Sequence, residues 1–155
     1  MARNIREYPD GSSDSEYVLT AGSSVVTVSP KGAHITSWQF NGADILYTGS
    51  SKKRSGIPLL FPYFGKSAMG RQHGFGRDNT WQVVEESDSA LSLLLTDKDI
   101  DDTAKAEYPY PFSAGVDVSY DEHGSLVFLL SVSNTGEKDM PISPGLHPYW
   151  AVAHE

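Results

Sequence analysis

Two histidines in this 155-residue chain stand among neighbours that could make an imidazole do chemistry. His73 lies in the run from Gln72 to Arg77, where Gly74 and Gly76 flank Phe75. Two glycines allow the backbone to approach a ligand closely or to take positive φ. Such a segment would present Gln72, His73 and Arg77 together. His147 lies in the run from Ser143 to Trp150. There Pro144-Gly145 sets a turn, and Pro148 keeps His147 out of the α region. Tyr149 and Trp150 give it aromatic surroundings of the kind that suit a sugar ring. Each segment also has a plainer explanation. A histidine beside glycines is more often structural, and an aromatic strand end can carry an incidental histidine.

Charge points to the same region. Lys52, Lys53, Arg54, Lys66, Arg71 and Arg77 make up half of the twelve basic residues, and no Asp or Glu occurs from Ile45 through Arg77. The net charge is −8, so one basic segment in an acidic chain is either an anion-holding site or an exposed basic loop. The overall negative charge argues against general nucleic-acid binding. His34, expected to face solvent or a neighbour at a strand start, His123 in a turn and His154 beside the terminus are weaker candidates.

The elements that must position these residues read as short strands. Glu16–Thr20 and Val25–Ser29 are rich in β-formers around a turn at Gly22. Ile35–Phe40 leads into Asn41-Gly42, a hairpin signal, with Asp44–Tyr47 returning. Trp81–Glu85 and Ala90–Thr96 form a second pair, and Val116–Tyr120 with Leu126–Val132 a third. Asp97–Glu107 holds the one helical turn expected, and its acidic run reads as a solvated surface. Pro58 and Pro62 interrupt the apolar run after Arg54, which forbids a regular central strand there. An antiparallel sandwich or barrel follows, and the pattern does not choose between them.

Composition fits one domain over residues 1–155, with 39% hydrophobic residues and frequent Gly and Pro. No cysteine is present, which excludes disulfides, thiolate metal sites and a cysteine nucleophile. The polar first residues do not resemble a signal peptide, and no stretch is long enough to span a membrane. The expected location is cytoplasmic.

The stretches RSGIPLLFPYFGKS, RQHGFGRDNTWQV, YPYPF and SPGLHPYW together resemble the aldose 1-epimerase (galactose mutarotase) superfamily. The likeness is greatest to its hexose-6-phosphate mutarotase branch. It implies an all-β, antiparallel β-sandwich of the galactose mutarotase type and an isomerase that needs no cofactor and no metal. In that chemistry a carboxylate takes the anomeric hydroxyl proton while a histidine protonates the ring oxygen. The ring opens, rotates about C1–C2 and recloses as the other anomer. The resemblance implies His147 as general acid, His73 as the second active-site histidine orienting the sugar, and Arg54, Gln72 and Arg77 as substrate contacts. Histidine suits this because its unperturbed pKa of about 6.5 lets it give and regain a proton. Arginine suits a phosphate through its planar, permanently charged fork.

Family members are longer, and their catalytic glutamate and a sugar-holding aspartate follow the Gly-Leu-His-Pro-Tyr segment. Here Ala151–Glu155 remain, and Glu155 stands too close behind His147 to substitute. The expectation is an incomplete sandwich without its general base. Exposed strand edges would then recruit a complementing chain or a second copy. A carbohydrate-binding module without catalysis is the competing class. A cupin-like metal site would need a His-x-His spacing that is absent.

Overall fold

The computed structural model describes residues 2–7, 11–49, 54–66, 68 and 70–152. Five strands form one antiparallel sheet in sequence order: β1 (Ala2–Glu7), β2 (Ser13–Ala21), β3 (Ser24–Ser29), β4 (His34–Phe40) and β5 (Ala43–Asp44). Short β6 (Leu59–Leu60) follows. Then β7 (Gln82–Glu86), β8 (Ala90–Thr96), β9 (Phe112–Tyr120) and β10 (Leu126–Asn134) build a second sheet in the order β10-β9-β8-β7. The helix α1 (Asp102–Glu107) interrupts it, and β11 (Gly145–Leu146) pairs back with β6.

Strict alternation explains the sheet faces. In β8, Leu91, Leu93 and Leu95 point inward; in β9, Phe112, Ala114, Val116 and Val118 do the same. They pack with Leu19, Val26 and Val28 of the first sheet in one core. Each fully buried Leu contributes about 2 kcal/mol of hydrophobic stabilisation. Polar ties also cross between the sheets. Trp38 Nε1 donates to Ser24 Oγ at 3.0 Å, and that hydroxyl lies 2.9 Å from the Tyr120 hydroxyl. The β-sandwich is therefore the architecture, and a barrel is not.

Local departures have physical causes. Strand β1 forms where the sequence shows only a polar segment. It is held by its ladder to β2, by Arg3 over the Tyr17 ring at 5.0 Å, and by the Arg3–Glu86 pair at 2.7 Å. The return strand expected over Asp44–Tyr47 shrinks to β5, because Leu46 instead bridges Trp150 and Tyr47 N–H bonds Tyr149. The acidic run is only partly a solvated surface. Asp101 caps α1 by accepting from the Ala104 N–H, Asp99 accepts from Thr96 and Gln82, and Glu107 pairs with Arg71. Among the described residues no helix is long and apolar enough to cross a membrane.

Candidate functional site

The segment 56–65 is the template on which the site is assembled. Along one side it binds the chain that carries His147. Ser143 N–H donates to the Pro62 carbonyl at 2.9 Å, His147 N–H to the Pro58 carbonyl at 3.1 Å, and Tyr149 N–H to the Gly56 carbonyl at 2.9 Å. Both prolines lack a donor but keep an acceptor, so they sit in a ladder that uses only their carbonyls. Its regular strand stays two residues long, as the prolines dictate.

Along its other side the same segment binds the loop that carries His73. The Phe61 carbonyl accepts from both Phe75 and Gly76 N–H at 2.9 Å, and the Gly65 carbonyl accepts from His73 N–H at 2.8 Å. Gly74 has φ +66, and a Cβ there would stand 2.2 Å from the Phe61 carbonyl oxygen. A Cβ on Gly76 would meet Phe61 Cβ at 2.9 Å. These glycines thus allow close approach to Phe61, and Gly74 takes the positive φ that a glycine permits. Phe75 between them is fully buried, packed edge-on to Phe61 at 5.9 Å and tilted against Phe112 at 6.0 Å. Trp81 closes the floor by donating from Nε1 to the Gly76 carbonyl at 3.0 Å.

The two imidazoles consequently meet. Ring centroids of His73 and His147 are 6.4 Å apart at an interplanar angle of 68°. Tyr149 lies under His147 at 4.8 Å, and Phe64 packs beside His73 at 5.8 Å while 55% of its surface stays exposed. Local sequence does not single out Phe64 as a neighbour of the imidazoles. Its one local signal is an aromatic directly before Gly65.

Of the remaining candidates, Gln72 is exposed with its side-chain amide nitrogen 3.2 Å from His73 Nε2. Arg77 folds back so that Nη2 donates to the Gln72 carbonyl at 3.4 Å. Two buried polar atoms in this group have no hydrogen-bond partner among the described residues: Arg77 Nε and His147 Nδ1. A buried donor left unsatisfied costs about 1–3 kcal/mol, so such atoms mark a place where something polar belongs. Arg54 is exposed and makes no hydrogen bond or ion pair among the described residues. It is not brought to the imidazoles by any such contact.

Electrostatics separate the basic residues further. Burial, then the nearby Arg77 guanidinium and His147, hold the His73 pKa below the ordinary histidine value. Arg71 does not serve as a spare cation, because Glu107 accepts from its Nε at 2.8 Å. Lys66 is exposed, and Lys52 and Lys53 lie outside the described residues. Among the described basic residues, Arg77 is the one whose charge acts on the His73 ring. His34 faces a neighbour, with its Nε2–H donating to the Ser55 carbonyl at 2.8 Å. His123 is exposed in its turn, and His154 and Glu155 lie outside the described residues. Among the described residues no group of three or more His, Asp or Glu could hold a metal ion. None of their carboxylates hydrogen-bonds either imidazole.

Comparison with known proteins agrees with the fold and the motifs. A galactose mutarotase-like protein from Lactobacillus casei superposes with a TM-score of 0.80 at 24% identity, covering 90% of this chain and 51% of that one. A galactose mutarotase related enzyme from Lactobacillus acidophilus gives 0.77 at 22%, covering 90% and 50%. At such identities these structures speak for the fold alone. Among curated sequences, the Cenchrus ciliaris protein named "Putative glucose-6-phosphate 1-epimerase" is 26% identical over 141 residues, which is 79% of this chain and 42% of that protein. The Escherichia coli protein YphB is 26% identical over 163 aligned positions, 88% of this chain and 52% of its own length. The chain thus spans about half the length of the curated relatives it matches. The sequence model described as Aldose 1-epimerase matches residues 15–155, and the chain belongs to that family.

Proposed function

We propose that this site interconverts the α and β anomers of an aldose, with a hexose 6-phosphate as the preferred substrate. His147 protonates the ring oxygen as the anomeric hydroxyl loses its proton, and takes the proton back on reclosure. His73 and Gln72 hold sugar oxygens. Arg77, joined by Arg54 from the rim, receives the phosphate. The observation that carries this reading is the meeting of two imidazoles beside two buried, unpartnered polar atoms, Arg77 Nε and His147 Nδ1. A sugar phosphate offers acceptors and donors for both. The name given to the Cenchrus ciliaris relative favours the phosphorylated substrate.

Ring opening also needs a carboxylate base. We place it outside the described residues, on a complementing segment packed beside the site. The apolar groove of about 170 Å³ between β10 and β11, lined by Leu59, Phe128, Leu130, Pro144 and Leu146, favours such packing. Sugar binding without catalysis is the second reading, favoured by the lack of a carboxylate bonded to either imidazole among the described residues.

Titrating glucose 6-phosphate into the ¹⁵N-labelled chain tests the site. Both ring systems, His73 and His147, are expected to shift together. Saturating ligand that moves neither would end the sugar reading. Exchange NMR on the same sample reads anomer interconversion. A rate above buffer that drops at least about 100-fold in His147→Asn supports the isomerase. Binding at the buffer rate, even with the complementing part restored, supports the binding module.

A further inference from the structure

Gly65 and His73 are joined twice. The His73 N–H donates to the Gly65 carbonyl at 2.8 Å, and the Gly65 N–H donates to His73 Nδ1 at 3.1 Å. Both residues have positive φ, +79° for Gly65 and +68° for His73, a region that non-glycine residues seldom enter. Here the reciprocal pair repays the cost. It closes the loop between them and aims the imidazole back at its own loop start.

A ring nitrogen that accepts an N–H must offer a lone pair, so Nδ1 carries no proton. A neutral imidazole then bears its hydrogen on Nε2, and that atom becomes a donor. Nε2 faces the Gln72 side-chain amide at 3.2 Å. The two can bond only if Gln72 turns its oxygen toward the ring, and the assignment of O and N in a glutamine amide is decided by such networks. Full protonation of His73 would put a hydrogen on Nδ1 against the Gly65 N–H and break the side-chain half of the staple. His147 has no such restraint. Its Nδ1 is buried without a hydrogen-bond partner among the described residues, and its backbone N–H bonds elsewhere, to the Pro58 carbonyl.

We propose that the Gly65 amide locks His73 as the Nε2–H tautomer, making it a fixed neutral donor and leaving proton exchange at the paired imidazoles to His147. Gly65 is then a positioning residue that acts through its backbone, and Gln72 occupies the donor until a ligand oxygen replaces it. The consequence for a substrate oxygen rests on the sugar reading above. The tautomer itself does not. Burial and the facing groups Arg77 and His147 disfavour a charged His73, in keeping with the lock.

Long-range ¹H–¹⁵N correlation of the histidine-labelled chain at neutral pH tests this directly. The expected pattern for His73 is an unprotonated Nδ1 and a protonated Nε2, unchanged in Gln72→Ala because Gly65 sets it. An Nδ1–H form, fast averaging of both forms, or a doubly protonated ring would overturn the proposal. A tautomer that switches in Gln72→Ala would transfer control from Gly65 to Gln72 and overturn it as well. Adding glucose 6-phosphate separates the two ideas. A locked tautomer with no ligand shift sinks only the sugar reading, whereas ligand shifts on an unlocked ring sink only the lock.

Discussion

Glu107, the last residue of α1, accepts a 2.8 Å hydrogen bond from Arg71, two positions before His73. Through it the helix holds the histidine loop, because the Arg71 carbonyl in turn receives the Gly74 N–H at 3.2 Å. Gly70 permits the approach: a Cβ there would lie 2.9 Å from Glu107 and 2.8 Å from the Tyr63 hydroxyl.

Glu107→Gln should therefore loosen the loop more than it unfolds the protein. The pair is partly exposed, so the loss of global stability is expected to stay near 1 kcal/mol or below. Amide hydrogen exchange at His73 and Gly74 should accelerate selectively. Equal protection in wild type and variant would show that the helix does not brace the site.

The Arg77 charge acts on the His73 ring, so Arg77→Ala should separate phosphorylated from plain sugars. A hydrogen bond to a charged group is worth about 1.5–3 kcal/mol, which is roughly 10–100-fold in affinity. Calorimetry with glucose 6-phosphate and glucose gives the ratio. Loss of affinity for both sugars in equal measure would remove the phosphate from the proposal.

His34 supplies a pH dependence of folding. Its pKa is pushed down to about 4, chiefly by burial, against the raising effect of the Ser55 carbonyl. Above about pH 6.5 the ring is neutral whether folded or not, and its effect on stability is nil. As pH falls from there toward 4 the unfolded chain binds the proton first, so stability drops, levelling off below the folded value. The upper bound is about 3 kcal/mol, since one unit is worth 1.36 kcal/mol. Urea midpoints at pH 7 and pH 4.5 should converge in His34→Gln after correction for other groups. An undiminished pH slope in that variant would assign the effect elsewhere.

The strand β10 ends its sheet with apolar residues on both faces. Val127 and Leu129 are 37% and 53% exposed, and Phe128 and Leu130 border the groove beside β11. Unpaired, apolar strand edges recruit partners. Sedimentation of the chain should show concentration-dependent association that Leu129→Lys weakens by tenfold or more. A monomer across the whole concentration range would remove β10 as a contact surface.

Much of this was written in local sequence. The alternation of Val116, Val118 and Tyr120 with small or polar residues declares a half-buried strand, because the side-chain period of a strand is two. The glycines around Phe75 announce a tight segment, and the motifs around His73 and His147 are those of the aldose 1-epimerase family. What local sequence could not carry was the polar β1, whose residues have no strand pattern of their own and are held only by pairing.

Nor could it say what the glycines approach, which of six basic residues is already neutralised, or where His147 goes. Those depend on segment 56–65 bonding two distant stretches at once, one through Pro58 and Pro62 and the other through Phe61 and Gly65. Residue types and turns are local properties and can be read in order along the chain. Partnership across the fold is chosen by the whole set of competing pairings, so it exists only once the chain has closed.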